Sequence, residues 1–162
     1  LIIHHLINLV LIIFIKNLHL VNKMTKKVMC FGTFDLLHLG HLNYFQQAKQ
    51  YGDHLIVVLA RDKTKEKQHK ETIFDEEERL QLIKSLKIVD DAVLGNLEDH
   101  YKIIKEKKPD VICLGYDHQI KEDFLQKELT KLGLNLKIVR AKPYKSHKHK
   151  STKIRKKFLN TK

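Results

Sequence analysis

The chain has 162 residues, of which 43% are hydrophobic and 31% are charged, so we predict a single α/β domain with no room for a second one. Its formal net charge of +12 favours an anionic ligand, although charge alone does not separate a nucleotide from nucleic acid or a membrane surface. Only two cysteines occur, Cys30 and Cys113, and each lies in an apolar run. This placement predicts reduced core residues of a cytoplasmic protein and argues against a disulfide or a zinc site.

The first 23 residues are rich in Ile and Leu and precede the first methionine, Met24. Their longest apolar stretch, residues 9–15, is shorter than the roughly 20 residues that a bilayer span needs. A basic start and a small-residue cleavage site are both missing, which disfavours a signal peptide. We therefore interpret residues 1–23 as a non-native or upstream-translated extension, with a membrane anchor as the alternative, and residues 24–162 as the functional domain.

From residue 27 onward, apolar runs alternate with amphipathic stretches, as in parallel strands joined by helical crossovers. Five strands are predicted, at residues 28–31, 55–60, 91–94, 111–114 and 136–139. Helices are predicted at residues 39–51, 75–86, 101–108 and 119–132, the last two ending at Pro109 and Gly133. The expected fold is a single α/β domain with a Rossmann-like, doubly wound, five-stranded parallel sheet.

The stretch 61–71 follows the second predicted strand and is polar, with five Lys or Arg residues and no periodicity. It predicts a mobile loop at the carboxyl edge of the sheet, where open α/β sheets bind their ligands.

The strongest local pattern is residues 30–41, in which a strand runs into a glycine turn and then into a helix that opens at His38. Gly32 is expected to let the backbone approach a phosphate, and Gly40 to leave room beside the ligand. His38 and His41 are three residues apart, so both rings lie on one face of the first helical turn and can donate to one phosphate. Weaker interpretations are two solvated histidines or a zinc pair, for which no further ligand is close by.

This segment resembles the HxGH signature of the cytidylyltransferase-like nucleotidylyltransferase superfamily, preceded by that superfamily's Gly-Thr-Phe-Asp. Residues 115–118 (Gly-Tyr-Asp-His) resemble its Gly-x-Asp segment, and residues 151–155 resemble its Ser-Thr-x-Lys-Ile type of motif. The resemblance implies an enzyme that moves a nucleoside monophosphate from an NTP onto a phosphorylated acceptor and releases pyrophosphate.

The resemblance also implies roles for individual residues. Catalytic roles are implied for His38, His41, Lys65 and Lys153. Nucleotide contacts are implied for Thr33, Phe34, Asp35, His38, Leu39, Gly40, His41, Arg79, Gly115, Asp117, Ser151, Thr152 and Arg155. Phosphate-binding lysines of relatives fall near Lys63, Lys65, Lys67 and Lys70, although surface lysines are often only solvated. No metal site made by the protein is expected, and Mg²⁺ or another divalent cation is expected to arrive with the NTP.

Two subfamilies compete for the chain. Seven short segments resemble the sequences of archaeal-type FAD synthases, which transfer AMP from ATP to FMN. These segments are residues 57–62, 78–80, 85–87, 89–90, 92–95, 108–110 and 114–117. Glycerol-3-phosphate cytidylyltransferase, which uses CTP and glycerol 3-phosphate, shares residues 32–38 and the Ser-Thr-x-Lys type of ending. Its relatives, however, usually carry Gly-Asp-Asp-Trp where this chain has residues 115–118. We therefore favour FMN adenylylation. Leu39 and His118 stand where FAD synthases often have proline and glutamine, which bears on the identity of the base and the acceptor.

A catalytically silent module that binds nucleotides or nucleic acid is the alternative from another class. The basic run 142–150, with His147 and His149, would suit a nucleic-acid tail. We favour a substrate-side loop leading into Ser151, because the run is short and has only Tyr144 for base stacking. The expected partners are thus ATP and FMN, without nucleic acid or membrane, and a homodimer is the expected assembly if the chain does not act alone.

Overall fold

The computed structural model describes residues 7, 10–12, 25–67, 72–149 and 151–159. Within these ranges the predicted five-stranded parallel sheet is confirmed, in the order β3-β2-β1-β4-β5. The strands are β1 (Lys27–Gly32), β2 (His54–Leu59), β3 (Asp91–Leu94), β4 (Val111–Leu114) and β5 (Lys137–Arg140). The helices are α1 (Leu39–Lys49), α2 (Asp62–Lys67), α3 (Glu76–Lys84), α4 (Lys102–Lys107), α5 (Glu122–Lys131) and α6 (Ser151–Leu159).

The first strand lies in the middle of the sheet, and the later strands are added on both sides of it. The chain runs from β1 through β2 to the edge strand β3, crosses back to β4 on the other side of β1 and continues to the edge strand β5. The strand order therefore reverses between β1 and β4. The loops after these two strands leave in different directions, which is where doubly wound sheets place their ligands.

Alternate residues of the central strands pack on opposite faces of the sheet, as the pleat requires. Val28 and Cys30 of β1 join one core cluster with Phe45 of α1, whereas Met29 joins a second cluster with Leu129 of α5. Both faces are covered, which explains the nearly continuous apolar runs of β1, β2 and β4. Cys113 is buried like Cys30, and neither cysteine forms a disulfide.

The prediction that residues 61–71 lack regular structure is wrong for residues 62–67, which form α2. Two acidic side chains exchange hydrogen bonds across the gap to α3. The carboxylate of Asp62 accepts from the Glu76 N–H at 2.9 Å, and the carboxylate of Glu76 accepts from the Asp62 N–H at 2.7 Å. These long-range contacts hold the start of the helix, and local periodicity does not report them.

Part of the sequence interpretation falls outside the described residues. Met24 and most of residues 1–23 lie there, as do residues 68–71 with Lys70, so the nature of the first segment stays a prediction. None of the helices in the described ranges has both the length and the apolar character needed to cross a bilayer.

Candidate active site

The carboxyl ends of β1 and β4 are separated by the side chain of Tyr44, which projects from α1. Its hydroxyl donates to the Cys113 carbonyl at 2.5 Å and accepts from the Phe31 N–H at 3.4 Å. Strand pairing between β1 and β4 ends at the Cys30–Cys113 pair, one step earlier. Tyr44 therefore substitutes for the next rung of the ladder and holds the two following loops apart. Sequence reasoning missed this residue, because nothing marks a buried tyrosine as a wedge.

Gly32 and Phe34 shape the loop after β1 differently from the prediction. Phe34 has a left-handed backbone, with φ of 54°, and its side chain is buried. A Cβ on Gly32 would lie 2.6 Å from Cζ of Phe34, so the space above Gly32 holds this ring and not a phosphate. The ring meets His41 edge-on, with centroids 5.2 Å apart. The Phe34 ring thus supports a candidate catalytic histidine, and the nucleotide contact expected from the Phe34 backbone N–H stays a prediction.

His38 and His41 form a stacked pair, with ring centroids 3.9 Å apart and planes inclined by 16°. His38 is the N-cap residue of α1 and has an extended backbone, with φ of −150°. The Nδ1 atoms of both rings are buried and have no hydrogen-bond partner among the described residues. Because both Nδ1 atoms are covered by the protein, the nitrogen that each ring can offer to a ligand is Nε2.

Both histidines are biased toward the neutral form. Burial, and then the charge of nearby His38, lower the pKa of His41 to about 3. Burial, and then the charge of His149, lower the pKa of His38. The negative charge of Asp117 acts in the opposite sense on both rings. Neutral rings can stack closely without repulsion, and each still has one N–H group to donate.

The depressed pKa of His41 predicts a loss of stability in acid. The unfolded chain takes up a proton near the ordinary histidine pKa of 6.5, whereas the folded chain resists it down to about 3, so stability falls as the pH drops below 6.5. Between pH 7.5 and pH 5 the contribution is about 2 kcal/mol. Urea unfolding at both pH values should show this difference between the wild type and His41→Gln. Equal acid sensitivity of the two proteins would contradict the prediction.

The space left by the missing side chain of Gly40 is also occupied by a different group from the one predicted. A Cβ at this position would lie 2.9 Å from Cε1 and Nδ1 of the His38 ring and 3.1 Å from the His149 carbonyl oxygen. The missing side chain therefore makes room for protein groups and not for a ligand. Leu39, at the variable position of the motif, is 53% exposed.

Helix α6 returns the end of the described chain to the first turn of α1. The hydroxyl of Ser151 lies 3.3 Å from Nε2 of His38 and donates to the Leu36 carbonyl at 3.4 Å. Ser151, for which a nucleotide contact was predicted, therefore adjoins the histidine motif in the structure. A helix N-terminus beside two neutral imidazoles is a suitable place for an anion.

Asp35 is buried and holds protein groups, although a nucleotide contact was predicted for it. One carboxylate oxygen accepts from the N–H groups of Ile73 and Phe74 at 2.9 and 3.0 Å, and the other pairs with Arg155 at 2.5 Å. Asp35 therefore joins three parts of the chain: the motif loop, the approach to α3 and helix α6. Arg155 reaches the site region through this ion pair.

The basic side chains differ in how close they lie to the histidines. Lys153 and Thr152 are exposed, and Nζ of Lys153 donates to the His147 carbonyl at 3.2 Å. Lys65 is partly buried, and its positive charge reaches His118, whose pKa is lowered by lost hydration, then by Arg140 and then by Lys65. Lys63 is exposed, whereas the side chain of Lys67 lies outside the described part of the chain.

Arg79 lies beneath the site, with no exposed surface. Its guanidinium donates to the carbonyls of Thr33 at 2.6 Å, Ala60 at 2.9 Å and Phe74 at 3.2 Å, and it pairs with Asp62 at 2.6 Å. The prediction of a direct nucleotide contact is not what the structure shows. Arg79 instead fixes the backbone of the loops that follow β1 and β2, including the carbonyl of Thr33.

Arg140 performs the same task on the other side of the switch point, and sequence reasoning missed it. From the end of β5 it donates to the carbonyls of Gly115 at 2.9 Å, His118 at 2.8 Å and Ile120 at 2.6 Å. Its Nε also pairs with Glu122 at 2.6 Å. The loop after β4, which carries the predicted Gly-x-Asp segment, is thereby shaped by one side chain. A charged residue ending an apolar strand was the available signal.

The structure brings most of the predicted residues to one edge of the sheet. Gly115 lies beside Tyr44 and Asp117, because a Cβ at Gly115 would be 4.0 Å from Cζ of the tyrosine and 3.8 Å from Oδ1 of the aspartate. Asp117 acts electrostatically on both His38 and His41. The two loops of the switch point and the start of α6 therefore surround one polar site with neutral imidazoles at its base.

Comparisons with known proteins agree with this geometry. A family model described as cytidylyltransferase-like matches residues 29–157. An FAD synthase of Thermoplasma volcanium is 47% identical over 133 residues, covering 82% of this chain and 94% of that protein. An FAD synthase of Thermoplasma acidophilum is 44% identical, with the same coverage. A solved structure described as the lipopolysaccharide core biosynthesis protein from Thermoplasma volcanium GSS1 has a TM-score of 0.73 at 49% identity and covers 74% of this chain and 98% of its own. The resemblance inferred from the motifs is confirmed.

Proposed function

The chain belongs to the cytidylyltransferase-like family of nucleotidyltransferases, and we propose that it is an FAD synthase, which transfers AMP from ATP to FMN and releases pyrophosphate. The observation that carries the chemistry is the neutral His38–His41 pair, whose rings stack on each other at the start of α1 and adjoin Ser151. The FAD synthases that resemble the chain support the choice of ATP and FMN.

The proposed reaction needs charge stabilisation more than proton transfer. An oxygen of the FMN phosphate attacks the α-phosphorus of ATP and forms a new P–O bond. The bond between the α-phosphorus and the bridging oxygen breaks, and its electron pair leaves with pyrophosphate. Because a phosphate monoester is mostly ionised at pH 7, no strong general base is required. Negative charge develops on the oxygens around the α-phosphorus, and positioned N–H donors stabilise it.

His38 and His41 are the donors proposed for these oxygens. Their pKa values are lowered, so at neutral pH they donate as neutral imidazoles and do not compete with the acceptor for a proton. Stacking at 3.9 Å and the edge contact from Phe34 fix the His41 ring before substrate arrives. Such preorganisation means that little reorientation is needed as charge develops.

The start of α6 is proposed to receive the pyrophosphate portion of ATP. Ser151 already contacts His38, and backbone N–H groups at a helix N-terminus attract phosphate. Lys153, which is exposed one turn into α6, and Lys65, near the loop after β4, add positive charge at the two sides of the site. The backbone of Thr33, held by Arg79, and that of Gly115, held by Arg140, complete the proposed nucleotide contacts.

The described residues include no group of three or more His, Cys, Asp or Glu side chains arranged to hold a metal ion. We propose that Mg²⁺ or another divalent cation arrives with the ATP and is bound by its phosphates. The protein is proposed to act in the cytoplasm on ATP and FMN as small molecules, without nucleic acid or membrane. A homodimer stays an expectation.

Pyrophosphate release should be measured with ATP and CTP, each crossed with FMN and glycerol 3-phosphate. We expect turnover with ATP and FMN to exceed every other pairing by at least about 100-fold, because a site that hydrogen-bonds one base rejects another strongly. Preferred turnover with CTP and glycerol 3-phosphate would instead identify a glycerol-3-phosphate cytidylyltransferase. Absence of turnover in all four pairings would favour a silent binding module.

A further inference from the structure

The basic run 142–150 contains a built turn that packs against the first turn of α1. Lys145 has a left-handed backbone, with φ of 42°, and its carbonyl accepts from the N–H groups of Lys148 at 2.8 Å and His149 at 2.9 Å. The turn brings the rings of Tyr144 and His149 into a stack, with centroids 5.8 Å apart and planes inclined by 18°. The His149 carbonyl packs over Gly40. His149 is therefore held both through its ring and through its backbone.

The His149 ring extends the histidine pair outward. Its centroid lies 6.4 Å from that of His38, and the His41 ring stacks on His38 at 3.9 Å. All three residues are partly buried, and His149 belongs to the turn that leads into the start of α6. The three rings thus lead from His41 toward Ser151, two residues after His149.

We propose that His149 is a third phosphate-binding imidazole, which donates a hydrogen bond to the pyrophosphate portion of ATP and to the pyrophosphate that leaves. The proposal rests on the proposed function for the identity of the nucleotide. Two rings centred 6.4 Å apart can both donate to oxygens of one phosphate, since each hydrogen bond to an anionic oxygen spans about 2.8 Å from the ring nitrogen. His149 lies on the side of His38 that adjoins the α6 N-terminus, where the negative end of ATP is stabilised.

Two other roles for this histidine are less consistent with the structure. A metal site is disfavoured, since the described residues contain no suitable group of three ligands. A nucleic-acid contact is disfavoured because one face of the Tyr144 ring, the aromatic side chain of the run, is stacked on His149 and so is not available to stack on a base. The charge of His149 also lowers the pKa of His38, which agrees with their proximity.

The test compares four full-length proteins: wild type, His149→Phe, His149→Gln and His147→Ala. Phenylalanine keeps a ring to stack on Tyr144 but has no N–H donor, whereas glutamine keeps a donor. His147 is the matched control, because it lies in the same turn and its side chain is exposed. Calorimetric titrations with ATP, and separately with inorganic pyrophosphate, are run without FMN. We expect His149→Phe to weaken both ligands about tenfold, His149→Gln about threefold, and His147→Ala less than twofold.

The outcomes separate the two proposals. Wild-type affinity of His149→Phe for both ligands would overturn the role of His149, even if its urea midpoint had fallen, because a purely stacking residue would behave in this way. If His149→Phe loses pyrophosphate affinity but the wild type shows no turnover with ATP and FMN, the role of His149 is supported and the proposed function is overturned. Should His149→Phe fail to fold, His149→Leu is titrated in its place and judged by the same criterion.

Discussion

Replacement of His41 by alanine is expected to lower kcat for pyrophosphate release by about 100- to 1,000-fold, the loss produced by removing one oxyanion donor in other enzymes. The ring is fixed between the stacked His38 and the edge of Phe34, and its buried Nδ1 has no partner among the described residues. A donor held in this way acts mainly when charge develops in the transition state. The KM for ATP should therefore change less than kcat.

The matched control is His100→Ala, since His100 is exposed and lies in the loop before α4, on no part of the candidate site. Its kcat should stay within twofold of the wild type. Because His38 and His41 stack directly, His38→Ala combined with His41→Ala should cost less than the product of the two single losses. A kcat for His41→Ala within fivefold of the wild type would exclude His41 as a transition-state donor.

Replacement of Arg79 by methionine should destabilise the fold by about 3–5 kcal/mol, because a fully buried guanidinium that bonds to three backbone carbonyls is lost together with its ion pair to the partly exposed Asp62. Methionine has a similar length but no donors, so the carbonyls of Thr33, Ala60 and Phe74 would lose their partner and Asp62 would lose its cation. Unpartnered buried carbonyls each add a desolvation cost. Urea unfolding measures the loss, which is a large part of the 5–15 kcal/mol typical of a domain.

Arg61→Met is the appropriate comparison for this prediction. Arg61 also pairs with an acid across the α2–α3 gap, Glu76 at 2.7 Å, but its side chain is 33% exposed. An ion pair at the surface contributes at most about 1 kcal/mol, so this variant should be only slightly destabilised. Similar losses for Arg61→Met and Arg79→Met would show that the buried carbonyl network does not depend on Arg79.

The two replacements should also differ in what remains of the folded protein. His41→Ala leaves the loops after β1 and β2 in place and removes one donor. Arg79→Met releases those loops, so at temperatures where it is folded we expect weaker ATP binding through the backbone of Thr33. Arg79 is in this sense a positioning residue, although its nucleotide contact was predicted to be direct.

Local patterns were sufficient to predict the sheet. The apolar runs of β3 and β4 were predicted with the observed bounds, and the other three strands were predicted within one residue at each end. Parallel strands buried on both faces are continuously apolar, so each is visible without knowledge of its neighbours. The spacing of His38 and His41 is likewise local, because one helical turn places both rings together.

What the sequence by itself determined was therefore the five strands, the helices α1, α3, α4 and α5, the histidine pair and the family to which the motifs point. Only the tertiary structure decided which groups fill the space around them: Phe34 over Gly32, the His149 carbonyl over Gly40, and Arg79 and Arg140 beneath the two switch-point loops. All but the first of these contacts join residues far apart in the chain. The two arginines bond to backbone carbonyls, which every residue carries, so the residue type signals that partners are needed but not which loop supplies them.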